Sequence, residues 1–284
     1  MTNANDARTN VNNVTLETLN QHGLHTTRQC DLCGESYFSV LHEWAVGDFW
    51  NPASISISAL QCNKCNLVFL HPIPLPEQLP EGGDWWKRKT KYRRMRLWKK
   101  FWEPTRRFLF GSSRSRIIKA TQRICPGGSL LDVGCGTGEL LNEARKYYEC
   151  YGLEPSPIAA EIARQKGLSI IESTLEEAIV ATQFDVITLD SVIEHVKSPT
   201  ATLDKIYSLL KPGGIVVLWT PKFGGPASRI HGRGWNGFRH GYHTYLFSGK
   251  TLGAFLEKTG FEVFSKPKRD RPLDDILVLW GRKK

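Results

Sequence analysis

Leu130-Leu131-Asp132-Val133-Gly134-Cys135-Gly136-Thr137-Gly138-Glu139-Leu140-Leu141 reads as a buried strand, a turn with glycines at alternate positions, and the start of an amphipathic helix. Glycine in such a turn lets the backbone approach a ligand and adopt angles that a Cβ would block. An α/β sheet builds a nucleotide pocket this way, at the carboxyl end of its first strand. The dinucleotide fingerprint is G-x-G-x-x-G. Here the third glycine falls one residue early and Glu139 takes its place.

The pattern around this turn alternates strand and helix. Strands are expected at 129–133, 150–154, 168–171, 184–190 and 214–219, with helices starting near Glu139, Ser156, Thr174 and Ser198. That alternation implies a doubly wound α/β fold with a parallel sheet. Pro212-Gly213-Gly214 is a helix stop before a strand, and a last helix over about 248–259 precedes strands near 260–265 and 275–281. Glu154 ends the second strand, where a carboxylate can accept hydrogen bonds from both hydroxyls of a ribose. A helix cap is the plainer reading, since Ser156 begins the next helix.

Four cysteines form a second signature. Cys30-Asp31-Leu32-Cys33 and Cys62-Asn63-Lys64-Cys65 are two C-x-x-C pairs. Four thiolates can close a tetrahedral, structural zinc site with no position left for water. Gly34 and Asn66 follow the pairs, and both residue types tolerate the left-handed backbone that ends such a turn. Four unrelated buried cysteines are the alternative. The long separation implies an inserted hairpin carrying Trp44 and Trp50, whereas Cys125, Cys135 and Cys150 read as core or turn residues.

The chain has 284 residues and a net charge of +10, localised in one segment. Trp85 to Lys119 holds fourteen Lys or Arg against one acid, Glu103, interleaved with Trp98, Phe101, Trp102 and Phe108. Three readings stay open for it: a bridging helix with solvated bases, attraction to a phosphorylated acceptor or an anionic membrane surface, and nucleic-acid binding. No run approaches the roughly 20 apolar residues of a membrane span, and no secretory-signal pattern begins the chain, so a cytoplasmic protein is expected. The organisation reads as a disordered leader over 1–28, a zinc-binding module over 29–80, a basic aromatic helical linker over 81–124 and a catalytic α/β domain over 125–284. Pro72, Pro74, Pro76 and Pro80 mark an extended connection at the end of the module.

Asp132-x-Gly134-x-Gly136-x-Gly138, Glu154, Phe184-Asp185-Val186-Ile187-Thr188-Leu189-Asp190 and Leu209-Leu210-Lys211-Pro212-Gly213-Gly214 resemble the successive motifs of class I S-adenosylmethionine-dependent methyltransferases. The resemblance covers about 125 to 281 and implies a Rossmann-like seven-stranded sheet. It implies that the turn Gly134, Gly136 and Gly138 approaches the methionine part of the cofactor, that Asp132 orients its ammonium, and that Glu154 holds the ribose. Thr174 and Leu175 would flank the adenine, while Asp190 and Ser191 would face the reacting methyl. Cys62-x-x-Cys65-Asn66-Leu67-Val68-Phe69-Leu70 with the prolines after it, and His243-Thr244-Tyr245-Leu246-Phe247-Ser248, are similar to a bacterial subgroup with an N-terminal zinc module. Members of that subgroup often modify sugars, polysaccharides or secondary metabolites; Asn66 departs from its usual glycine.

Methyl transfer is a displacement that needs alignment and, for an oxygen nucleophile, a base within reach. Glu194-His195 follows the fourth strand. The stretch 221–247 carries His231, Arg233, Trp235, Arg239, His240, Tyr242, His243 and Tyr245 on a glycine-rich frame suited to an acceptor lid. His195 and His243 are the candidate bases, against the plainer reading of structural histidines, and Glu194 is expected to orient a neighbour or cap the next helix. The Asp/Asn-Pro-Pro-aromatic motif of adenine amino-methylation is replaced by Asp190-Ser191-Val192-Ile193, and no cysteine beyond Cys150 offers the nucleophile of cytosine C5 chemistry. The expectation is methylation at oxygen or carbon of a sugar, glycan or natural-product acceptor. An RNA methyltransferase and a non-catalytic zinc-bearing interaction module are the alternatives.

Overall fold

The structure is a computed structural model; it describes residues 13–15, 29–48, 51, 53–75, 78, 113–238, 243–264 and 275–284. Its larger sheet contains β5 (Ser129–Val133), β6 (Glu149–Leu153), β7 (Ser169–Ile171), β8 (Phe184–Asp190), β9 (Leu210–Pro221), β11 (Phe261–Phe264) and β12 (Ile276–Lys283). The strand order is β11-β12-β9-β8-β5-β6-β7. β5 through β9 run parallel, and β12 inserts antiparallel between β9 and β11. The order reverses between β5 and β6 on one side and β8 on the other, so the carboxyl ends of these strands frame the crevice where such sheets take ligands.

The strands are apolar on both faces because helices cover both. Leu131, Val133, Ile187, Leu189, Val216 and Leu218 pack with Leu203, Ile206 and Leu209 of α4 (Pro199–Leu209) and with Leu252, Phe255 and Leu256 of α6 (Gly249–Lys258). Leu130, Val186, Ile215 and Val217 point the other way, against Ile118 of α1 (Ser113–Ile124), Leu140, Leu141 and Ala144 of α2 (Glu139–Ala144), and Ala163 of α3 (Pro157–Arg164). Each such side chain contributes roughly 1.5–3 kcal/mol when fully buried. On β12, Trp280 is buried and its indole N–H donates to Thr121 Oγ1 of α1 at 3.2 Å.

Two expectations for this region are corrected. Thr174 opens only a single turn, 175–177, and no helix. Its hydroxyl accepts the Glu177 N–H at 3.2 Å, so it caps that turn. β9 starts earlier than 214: Leu210 already pairs with Phe184, and the register then jumps to Val186–Ile215. Lys211 to Gly214 therefore bulge from the strand, with Gly213 at φ 74.

A smaller sheet has the order β1-β2-β3-β4-β10, built from β1 (Asn13–Thr15), β2 (Tyr37–Trp44), β3 (Ile57–Cys62), β4 (Val68–His71) and β10 (Tyr245–Leu246). The hairpin expected between the cysteine pairs is β2–β3; Trp44 is buried in it, and Trp50 lies outside the described residues. The 29–80 unit is not separate from the rest. β10, from the far end of the chain, pairs antiparallel with β4, and Phe38, Leu60 and Phe69 join the same core as Leu131 and Leu189. Within the expected leader, Asn13–Thr15 pair with Tyr37–Ser39 as the edge strand β1; the remainder of 1–28 lies outside the described residues. So do 81–112 of the expected linker, leaving 113–124 as the helix α1.

Asp31, inside the first cysteine pair, locks the small sheet to α4. Its carboxylate accepts the Ser198 hydroxyl at 2.8 Å and the Thr200 N–H at 2.9 Å. Its carbonyl accepts the Lys258 Nζ at 2.6 Å. Asp31→Ala leaves an α4 N–H without its acceptor and is expected to cost about 1–3 kcal/mol. Urea denaturation of the variant measures that loss, and unchanged stability would mean that water replaces the carboxylate fully.

Candidate active site

The glycine turn stands at the carboxyl end of β5. Gly134 and Cys135 both donate N–H to the Leu153 carbonyl, at 2.7 and 3.1 Å, which ties the turn to the end of β6. Gly134 has φ 67, and a Cβ there would lie 2.6 Å from Val192 Cγ2. The position therefore excludes any side chain twice over, by backbone angle and by space. Gly136 donates its N–H to Glu154 Oε2 at 2.8 Å, and Ser156 donates to Oε1 at 2.9 Å. Glu154 is thus buried and strung between the glycine turn and the start of α3.

Asp132 is buried beside it, accepting the Thr188 hydroxyl at 2.7 Å across to β8. At the end of β8, Asp190 receives Arg114 Nε at 2.5 Å. Arg114 comes from the basic segment and was not singled out from sequence, because one base among fourteen carries no distinguishing signal. Ser191 follows at φ 58, a left-handed conformation that non-glycine residues adopt at a cost and that clusters at functional sites. It turns the chain from β8 into the segment carrying Glu194 and His195. Leu175 is buried in the core next to Thr174.

The 221–247 stretch is more fixed than an acceptor lid. After α5 (Pro226–His231), Trp235 and Phe238 are buried against Trp44, Val68 and Leu70, covering the outer face of the small sheet. Arg233 lies over the Trp44 ring and pairs with Asp48 at 2.5 Å. Arg239, His240 and Tyr242 lie outside the described residues. His231 is exposed at the end of α5, away from the cluster described next.

His195 and His243, expected from sequence as separate candidates, are brought together with ring centroids 4.8 Å apart. The Glu194 carbonyl accepts N–H groups from Thr244 at 2.7 Å and Tyr245 at 3.0 Å, which sets the two segments side by side. His243 Nδ1 meets the Gly237 carbonyl at 2.8 Å, so Nδ1 carries the proton and Nε2 keeps a lone pair. Burial pushes the His243 imidazole below its ordinary value, opposed by that Gly237 contact. Of the two tasks expected of Glu194, the cap of α4 falls instead to Ser198, which accepts the Ala201 N–H. The Glu194 carboxylate is buried, with neither oxygen hydrogen-bonded among the described residues.

A family model described as "Methyltransferase domain" matches residues 102–266. The chain belongs to that family. Ubiquinone biosynthesis O-methyltransferase of Cereibacter sphaeroides is 42% identical over 103 residues, which is 33% of this chain and 41% of that protein. Malonyl-[acyl-carrier protein] O-methyltransferase of Halalkalibacterium halodurans is 26% identical over 162 residues, 53% of this chain and 55% of that one. The chain thus spans only about half, or less, of the length of these curated relatives. An S-adenosylmethionine dependent methyltransferase from Mesorhizobium loti has the same fold, with a TM-score of 0.50 at 17% identity over 61% of this chain and 99% of that one.

In this methyltransferase domain the pocket is rich in acid: Asp132, Glu154 and Asp190 end three adjacent strands. Burial pushes the Asp132 carboxyl up to about 8; Thr188 and Arg114 oppose the rise, and Asp190 and Glu154 add to it. Without a cationic ligand the folded state holds a proton here that the unfolded chain releases in the ordinary carboxylate range. Between that range and pH 8 the folded state binds more protons, so this group makes stability fall as pH rises. Asp132→Asn cannot titrate. Urea melts of the cofactor-free protein between pH 5 and 7.5 should show a slope flatter by up to about 1.4 kcal/mol per pH unit in the variant. Parallel curves for the two proteins would contradict the assignment.

Proposed function

We propose that the chain is an S-adenosylmethionine-dependent methyltransferase acting on a hydroxyl oxygen of a small acceptor. The observation that carries this reading is Glu154, buried and held by the Gly136 and Ser156 amides at the mouth of the glycine turn. A carboxylate oxygen can accept more than one hydrogen bond, so a carboxylate held in this way suits a ribose hydroxyl. Bound S-adenosylmethionine would supply an electrophilic methyl on a cationic sulfur. Asp132 offers its carboxylate to the cofactor's ammonium, and Asp190 adds negative potential where the sulfonium would lie. The backbone at Gly134, Gly136 and Gly138 admits the methionine part, Ser191 turns toward the methyl, and Thr174 and Leu175 border the adenine. His195 and His243 stand beyond the end of β8, within reach of an acceptor proton.

Oxygen is favoured over carbon because the curated relatives are named O-methyltransferases and because histidines gather on the acceptor side. A sugar, glycan or natural-product acceptor follows from the subgroup resemblance. Of the basic segment, Arg114 serves Asp190 rather than a nucleic acid or membrane surface.

The four cysteines suit zinc. Cys30 and Cys65 sulfurs are 3.5 Å apart, as are those of Cys33 and Cys62, and all four lie within 4.8 Å of one another. A tetrahedron with Zn–S bonds of about 2.3 Å has edges of about 3.8 Å. Gly34 at φ 73 and Asn66 at φ 62 close the two knuckles, with N–H bonds to the Cys30 and Cys62 carbonyls. A cytoplasmic location would keep these thiols reduced for metal.

Glu154→Ala should weaken S-adenosylmethionine binding at least about tenfold by calorimetry, the scale of one hydrogen bond to a charged group. Unchanged affinity would remove Glu154 from the pocket. Metal analysis should give one zinc per chain, lost together with thermal stability in Cys62→Ser. A metal-free protein of undiminished stability would reduce the cysteines to packing residues.

A further inference from the structure

Glu194, His195 and His243 form a second cluster whose chemistry the methyltransferase reading leaves unexplained. One ligand-capable atom from each lies within 4.8 Å of the others. Glu194 is 1% exposed, and neither carboxylate oxygen has a hydrogen-bond partner among the described residues. The Thr220 hydroxyl is buried beside it and bears on the carboxylate, though without a bond of ordinary geometry. An unpartnered buried carboxylate costs several kcal/mol unless a proton or a cation neutralises it. Here it faces two imidazoles.

The histidines are arranged as ligands are. The Nδ1–H of His243 is directed to the Gly237 carbonyl, the kind of outer contact that fixes the tautomer and orientation of a metal-binding imidazole. Nε2 is then the nitrogen with ligand character in this tautomer. The Glu194 carbonyl anchors the backbone beside His243 through Thr244 and Tyr245, and the His195 N–H closes a tight turn on the Val192 carbonyl at 2.8 Å. The three groups are therefore positioned by backbone contacts independent of any ion. His195 is exposed, so the cluster opens to solvent on one side.

We propose that Glu194, His195 and His243 bind a divalent transition cation, with open coordination positions that accept the hydroxyl of the methyl acceptor. Two imidazoles and one carboxylate suit zinc, manganese or ferrous iron rather than magnesium or calcium. Three protein ligands with an open site mark a catalytic ion, unlike the closed set of four cysteines. The proposal rests on the reading of this crevice as the acceptor side and changes the task of the histidines from bases to ligands. The cation lowers the pKa of the bound hydroxyl, and the proton leaves to water. The oxygen then attacks the methyl carbon; as the O–C bond forms, the C–S bond breaks and its electron pair returns to sulfur, leaving a neutral thioether.

The test uses the full chain, freed of loosely bound metal and with its tight metal content measured first. Mn²⁺ is titrated with free ion counted by electron paramagnetic resonance, and Co²⁺ is followed by its visible absorption. The expected result is one Mn²⁺ per chain, and a Co²⁺ spectrum lacking thiolate charge-transfer bands. His195→Gln, at an exposed position that should not disturb folding, and Glu194→Gln, of the same shape, should each weaken Mn²⁺ at least about tenfold. S-adenosylmethionine affinity should stay within about threefold by calorimetry in His195→Gln, a small shift on the affinity scale. No Mn²⁺ or Co²⁺ bound outside the cysteine site would overturn the proposal, as would equal binding in both variants. Loss of cofactor binding by the unaltered protein would instead overturn the methyltransferase reading, while the metal titration still reports on this cluster.

Discussion

The carbonyl oxygen of Glu194 accepts two backbone N–H groups, from Thr244 and Tyr245, and much of the remaining structure depends on that contact. It joins the segment leaving β8 to the segment entering β10. β10 in turn pairs with β4 of the small sheet, so this short stretch adds a backbone link between the cysteine-bearing hairpin and the methyltransferase sheet to the shared core and the Asp31 bonds. The stretch 191–200 is gripped from three sides. Val192 leaves no room for a Cβ at Gly134, Glu194 takes the two amides, and Ser198 and Thr200 bond to Asp31. The glycine turn, the two histidines and the cysteine knuckle thus report on one another's position.

This arrangement gives the cysteine site a purpose beyond local stability. The unit that holds the four cysteines carries Asp31 inside its first pair and β4 at its end. Both reach the main domain: Asp31 through the N-cap of α4, β4 through β10 and His243. The aromatic cover of Trp235 and Phe238 against Trp44 fixes the outer face of the same sheet.

Charge is distributed with the same economy. Asp132, Glu154, Asp190 and Glu194 converge at the carboxyl ends of three neighbouring strands. Each has a distinct partner arrangement: a hydroxyl from Thr188, two amides, the Arg114 guanidinium, and none among the described residues. Desolvation raises Asp132 and Glu194 together, each to about 8, and Asp190 adds to both. A pocket of this kind is unfavourable when empty and favourable around cations. That is consistent with a sulfonium- and ammonium-bearing cofactor on one side and a metal ion on the other.

The sheet, the glycine turn, Glu154 and the paired cysteine knuckles were legible in the sequence because each rests on local rules: alternating apolar residues, backbone angles open to glycine, and short ligand spacing. Even φ at Gly34 and Asn66 followed from residue type. The turn at Thr174 and the bulge at Lys211–Gly214 were misjudged because local propensity yields there to strand register and packing. What only the tertiary structure decided are the meetings between distant segments: His195 with His243, Arg114 with Asp190, Asp31 with Thr200, β4 with β10. Sequence spacing carries no information about these, since they are set by which strands lie adjacent and which loops share an end of the sheet. Glu194 shows the difference most directly. One glutamate before a helix reads in the sequence as a cap or an orienting group, and only the fold buries it beside two imidazoles.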